Sequence, residues 1–169
     1  MVDWVVEAAR PLGADPLVVV VSPETADAFE GVTIAVQERA LGTGDAVRSS
    51  SAAVGETDEV LVLSGDTPLL TTALLRGLLA THRAGDAGAT VLSFVPADIR
   101  SYGRIVRNED GDLRSIVEAG DATPEQLAIG EANSSIYVFR ADLLWPALDR
   151  LEPANAQGEL YRSEEHTSE

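Results

Sequence analysis

The sequence predicts an α/β domain: a mainly parallel sheet with an antiparallel hairpin added near one edge. Short apolar runs alternate with helix-periodic stretches as far as Val95, the order of a parallel α/β sheet. Runs such as Leu17 to Val21 lack polar alternation, as strands covered on both faces do. Beyond Val95 the pattern changes to two short strands around a tight turn. The chain has 169 residues, 45% hydrophobic and 24% charged, which suits one globular domain with a single core. Aromatics are only 5%, so Ala, Val and Leu must fill that core.

Val2, Val5, Val6, Ala9 and Leu12 recur at helical spacing, and Gly13 stands where a helix would stop. Leu17 to Val21 is the first strand, closed by Pro23. A short helical stretch from Glu24 to Phe29 precedes a second strand, Val32 to Val36. A small-residue helix opens at Leu41-Gly-Thr-Gly44 and runs to about Val54. Glu59 to Leu63 is the third strand, followed at once by the turn Ser64-Gly65-Asp66-Thr67-Pro68. Leu74, Leu75, Leu78, Leu79 and His82 mark one face of the next helix, with Thr71 or Thr72 as its cap. Thr90 to Val95 is the fourth strand. Arg104 to Arg107, the turn Asn108 to Gly111, and Leu113 to Val117 form the hairpin. Ile129 to Phe139 contains a further strand, and Leu143, Leu144, Ala147, Leu148 and Leu151 form a last helical face.

Composition excludes several kinds of chemistry. Without Cys there are no disulfides, thiolate metal sites or cysteine nucleophiles. All twelve Lys+Arg cations are Arg, which removes the phosphate-loop lysine and Schiff-base chemistry from this chain. The charge of −16 argues against nucleic acid and anionic membranes as partners. Asp3, Glu7 and Arg10 break the apolar pattern a signal peptide would need, and no apolar run is long enough to span a bilayer. A cytoplasmic protein is expected. His166 falls in the polar stretch 162–169, read as a disordered or foreign tail, which leaves His82 as the one imidazole of the folded part and a packed residue.

Ligands of open α/β sheets bind outside the carboxyl ends of strands. Two segments sit there. Gln37 to Gly44 joins a strand to a helix, and its glycines either admit a ligand close to the backbone or make a tight turn and cap. Ser64-Gly65-Asp66 follows a buried strand directly. Its carboxylate either anchors a hard cation such as Mg²⁺ or simply forms a turn. Asp110-Gly111-Asp112 lacks the remaining ligands of a calcium loop and reads as the hairpin turn.

In order, Gln37…Leu41-Gly42-Thr43-Gly44, Gly65-Asp66-Thr67-Pro68-Leu69, Tyr102-Gly103-Arg104-Ile105, Ile116-Val117-Glu118, Asp121-Ala122-Thr123, Glu131-Ala132-Asn133 and Asn155-Ala156-Gln157-Gly158-Glu159-Leu160-Tyr161 form a series. That series resembles the uridyltransferase domain of the bacterial bifunctional N-acetylglucosamine-1-phosphate uridyltransferase/glucosamine-1-phosphate acetyltransferase family, over residues 2–161. The resemblance implies the Rossmann-like nucleotidyltransferase fold, also called the nucleotide-diphospho-sugar transferase fold. It further implies transfer of UMP from UTP to N-acetylglucosamine-1-phosphate, giving UDP-N-acetylglucosamine and pyrophosphate. By similarity, Gln37, Gly42 and Thr43 contact uracil. Ser64, Gly65 and Asp66 line the nucleotide site, with Asp66 holding Mg²⁺ as the catalytic metal ligand. Gly103, Glu118 and Asn133 bind the N-acetylglucosamine moiety. No protein nucleophile is required, which agrees with the absence of Cys.

The family domain opens with a strand and a glycine-rich loop carrying Arg and then Lys. No counterpart precedes Met1, so the resemblance implies a partial domain, 1–161, with its first strand missing. An inactive and marginally stable fragment is the expectation, with the family's homotrimer tied to a domain absent here. Gly120 and Ser135 depart from the family pattern, the latter standing where the sugar-binding strand has Gly. Two alternatives remain: a nucleotidyltransferase for another sugar-1-phosphate, and a noncatalytic nucleotide-sugar-binding module.

Overall fold

The last strand among the described residues stands in the middle of its sheet. In the computed structural model, which describes residues 1–67, 69–99 and 101–151, strand β7 (Ala132–Arg140) pairs antiparallel with β3 (Glu59–Val62), β4 (Ala89–Phe94) and β5 (Arg104–Arg107). β6 (Leu113–Val117) joins the outer side of β5, completing a five-stranded sheet in which the expected hairpin forms one edge. β1 (Val18–Val21) and β2 (Thr33–Val36) make a separate parallel pair. Since both run antiparallel to β7, β3 and β4 point the same way. The parallel orientation expected from alternating strands and helices is kept, with β7 supplying the ladder between them.

Helices cover both faces. On one side, α1 (Val2–Ala9) and α4 (Thr72–Ala84) bury Ala9, Leu75 and Leu78 against Ile136 and Val138 of β7. Leu17 beside β1, and Leu61 and Leu63 in and after β3, pack against the same cluster, so the two sheets share one helical layer. On the other side, α2 (Thr43–Ser49) and α6 (Ala141–Asp149) bury Val47, Leu144 and Leu148 on Val60, Val62, Ile105, Tyr137 and Phe139. Thr72 Oγ1 donates to Ala8 O at 2.8 Å and Arg76 to Pro11 O at 3.1 Å, fixing α4 to the α1 end.

Several local expectations are met by identifiable chemistry. Gly13 takes φ 76°, ending the first helical segment in the left-handed region that glycine tolerates. Thr71 is the cap of α4, accepting from Leu74 N at 3.2 Å. His82 is only 6% exposed, and its Nδ1 shares a 2.8 Å hydrogen bond with Thr90 Oγ1, so it is a packed residue with a satisfied ring nitrogen.

Others differ. Of the run read as covered on both faces, only Val21 is buried, because among the described residues β1 pairs with β2 alone. The 24–29 stretch is a single 3₁₀ turn at Pro23–Thr25. The helix opened by Gly-Thr-Gly breaks at Ser50, with α3 (Ser51–Val54) following. A one-turn helix, α5 (Pro124–Leu127), went unforeseen; a full capping box between Thr123 and Gln126 starts it. No helix among the described residues is long and apolar enough to cross a membrane. The Asn155-to-Tyr161 motif and the 162–169 tail lie outside the described residues.

Candidate functional site

Gly103, Glu118 and Asn133 come from three different strands' ends and meet. Asn133 N donates to Gly103 O at 2.9 Å, which ties the start of β7 to the residue before β5. A Cβ placed on Gly103 would lie 3.1 Å from both carboxylate oxygens of Glu118, so glycine is what lets that carboxylate approach the backbone. Asn133 is 5% exposed. Its Nδ2 donates to the Tyr137 hydroxyl at 2.7 Å and its Oδ1 accepts from Ser135 N at 3.1 Å.

That second bond belongs to a bulge. Between the pairs Val91↔Tyr137 and Ser93↔Asn133, three residues of β7 face one of β4. Ser134 Oγ donates to Leu92 O at 2.6 Å across the bulge, and Ser135 adopts φ 60°. Bulges re-aim side chains at sheet ends. Here the Asn133 side chain turns back along β7 to Ser135 N and the Tyr137 hydroxyl, while its backbone N–H reaches Gly103 O, and Ser135 holds a conformation that side chains disfavour.

The Glu131 carboxyl is held below its ordinary value by hydrogen bonds from Arg107 and Ser93, despite partial burial. Arg107 donates to it at 2.6 and 2.9 Å, and Ser93 at 2.5 Å. Because Glu131 O accepts from Ile105 N at 3.1 Å, this ion pair braces the same junction of β5 and β7.

Ser64-Gly65-Asp66 leaves the carboxyl end of β3. Since Val62 pairs with Tyr137 and β3 runs antiparallel to β7, the segment emerges at the end of the sheet where Asn133 lies. Ser64 Oγ donates to Asp66 Oδ1 at 2.7 Å, orienting an exposed carboxylate. Asp66 is a hard oxygen donor open to solvent, and Mg²⁺ needs only one or two such groups when phosphates and waters complete its shell. No group of three or more acidic, His or Cys side chains suited to a metal exists among the described residues.

Gln37, Gly42 and Thr43 form the third cluster. Helices α2 and α3 carry the chain from β2, in the two-stranded sheet, to β3, in the five-stranded sheet. Gln37 Nε2 donates to Gly42 O at 3.1 Å and to Asp45 Oδ2 at 2.8 Å. Gly42 has φ 107°, a value open to glycine alone among common residues, and Thr43 begins α2 exposed.

Two residues of these clusters had no motif to announce them. Asp45 precedes Arg48 by one helical turn, a spacing that could have suggested a pair; Tyr137 depends on a bulge that no periodicity encodes. A cavity of about 410 Å³ lies at the far end of the sheet, lined by Asp58, His82, Asp86 and the ion pairs Glu59–Arg83 and Arg140–Asp142. Its two arginines are thus already engaged.

The layered α/β body places the Gly103–Glu118–Asn133 cluster and the Ser64–Asp66 turn at one end of the five-stranded sheet, the end of open α/β sheets at which ligands bind. The chain belongs to the MobA-like NTP transferase domain family, whose model matches residues 1–167. It is 43% identical over 167 residues to the bifunctional protein GlmU of Exiguobacterium sp., an alignment covering 95% of this chain and 37% of the relative. With GlmU of Geobacter metallireducens it shares 44% over 169 residues, 95% of this chain and 35% of the relative. With GlmU of Mycolicibacterium vanbaalenii it shares 48% over 132 residues, 77% and 27%. The chain therefore spans little more than a third of the curated relatives it matches. Two solved structures of UDP-glucose pyrophosphorylase share the fold. The apo form has a TM-score of 0.67 at 15% identity over 98% of this chain and 73% of that one. The UDP-glucose complex has 0.67 at 16% over 97% and 72%.

Proposed function

We propose that this chain belongs to a uridyltransferase that transfers UMP from UTP to N-acetylglucosamine-1-phosphate, releasing pyrophosphate and UDP-N-acetylglucosamine. The observation that carries the reading is the meeting of Gly103, Glu118 and Asn133 at one sheet end, in a chain 43% identical to a GlmU. Glu118 and Asn133 together offer acceptors and a donor for sugar hydroxyl and acetamido groups. Gln37, Gly42 and Thr43 would read the uracil edge, and Ser64, Gly65 and Asp66 would line the nucleotide.

Asp66 would hold Mg²⁺, oriented by Ser64. Bound there, the metal would neutralise charge on the phosphates. The protein's own part is positioning: the three clusters hold a sugar-phosphate oxygen in line with the α-phosphorus, so no residue needs to act as a nucleophile. A cytoplasmic location and the homotrimer implied by the resemblance belong to the same proposal.

The test is pyrophosphate release by the protein in its full encoded length, with UTP and Mg²⁺. N-acetylglucosamine-1-phosphate should be turned over in preference to glucose-1-phosphate. Equal or better use of glucose-1-phosphate would favour the wider sugar nucleotidyltransferase reading. Asp66→Asn should lower turnover by at least about a hundredfold, in line with the loss of a main metal anchor.

A further inference from the structure

We infer that Asp45 sets which face of a base Gln37 can read, and so selects a pyrimidine bearing hydrogen on N3, uracil or thymine, over cytosine. The inference rests on the reading above for where the base sits.

A glutamine amide can present either its NH₂ or its oxygen to a ligand, and the two are nearly isosteric. Here the choice is chemically forced. Gln37 Nε2 faces Gly42 O at 3.1 Å and Asp45 Oδ2 at 2.8 Å. A carbonyl and a carboxylate only accept hydrogen bonds, so both amide hydrogens are committed and an inverted amide would set oxygen against two acceptors. Asp45 cannot swing aside easily. Its side chain is only 11% exposed, and Arg48 holds its other oxygen at 2.5 Å.

Gln37 Oε1 is left over. It accepts no hydrogen bond among the described residues, and it is not among their buried unsatisfied atoms, so it is open to solvent. The group offered to a base is therefore an acceptor. Uracil N3–H can donate to it. Cytosine, whose N3 is itself an acceptor, sets two lone pairs against each other. Asp45 does not touch the base in this scheme; it is a positioning residue, acting through Gln37.

The experiment titrates the ¹⁵N-labelled protein, in its full encoded length, with UMP, CMP and N3-methyl-UMP, following the Gln37 side-chain amide. UMP is expected to bind about tenfold more tightly than CMP, roughly what one part-buried hydrogen bond supplies. N3-methyl-UMP should bind as weakly as CMP. Asp45→Asn places an NH₂ against Gln37 and frees its amide to invert, so the UMP/CMP ratio should fall to one or below. A matching thermal melt will show that this variant is folded. If N3-methyl-UMP binds the unaltered protein as well as UMP does, the inference fails without any variant being needed. UMP preference that survives Asp45→Asn overturns the inference alone and leaves the uridyl reading standing. Binding of none of the three at millimolar concentration overturns both.

Discussion

In the five-stranded sheet Ile136 and Val138 are wholly buried and Ile105 is 1% exposed, whereas in the two-stranded sheet only Val21 and Ala35 are buried at all. The proposed sugar-binding residues stand on the first sheet and are joined across strands. Asn133 bonds to Gly103 and Tyr137, and the Glu131–Arg107 pair braces the same junction. The proposed base-reading residues follow the second sheet and are joined locally, within the nine residues from Gln37 to Asp45. One subsite is thus rigid because the sheet is; the other is rigid because a few polar side chains lock each other. The first should fail with global stability, the second with single polar substitutions.

The sharpest way to break this contrast is a matched pair of truncations. Ile136→Ala, at a position with no exposure, should cost about 2–5 kcal/mol. Ile34→Ala in the half-buried β2 should cost about 1 kcal/mol in the same urea titration. Equal losses would mean that the two sheets are equally cored.

A second substitution separates site from stability. Gly103→Ala drives a Cβ to 3.1 Å from Glu118's oxygens, and the carboxylate must shift. The half-saturating concentration of N-acetylglucosamine-1-phosphate should rise about tenfold, equivalent to about 1.4 kcal/mol, with turnover less affected. An unchanged value would remove Glu118 from the sugar subsite.

Smaller still is an acid effect. Arg107 holds the Glu131 carboxyl below its ordinary 4.5, so the pair stabilises the fold above that value and the contribution disappears as pH falls through the lowered one. Urea midpoints measured between pH 6 and pH 3 should decline less steeply in Arg107→Gln than in the parent protein. Parallel declines would show that the pair does not report on folding.

The least effect is a gain. Ser135 sits at φ 60°, where a side chain is disfavoured, and Ser135→Gly should stabilise by about 0.5–1 kcal/mol after glycine's own entropy is counted. A loss instead would show that the serine side chain contributes more than its backbone strain removes.

Much of this was legible beforehand, for reasons that differ by residue. Helix punctuation such as Gly13 and Thr71 is local, so spacing reveals it. The hairpin around Asn108–Gly111 is local as well; Asp112 N donates to Asn108 Oδ1 at 2.8 Å, closing the turn the sequence announces. The insertion of β7 between β3 and β4 was not legible from alternation, because pairing between strands some seventy residues apart leaves no periodic trace. The proposed site residues come from motif order rather than physics: nothing in the composition around Gly103, Glu118 and Asn133 says that they will meet. Asp45 and Tyr137 escaped because their roles exist only through partners that the fold brings to them.

The position of β7 also governs timing. Strands β3 and β4 leave the ribosome some forty residues or more before the strand that joins them, whose range ends at Arg140. Until then their inward edges have no ladder, and the helices that pack on Ile136 and Val138 have nothing to close over. Contacts so distant along the chain form slowly. Assembly of the five-stranded sheet must therefore wait for nearly the whole of the described chain to be synthesised, and the nascent protein spends that interval with strand edges to shield.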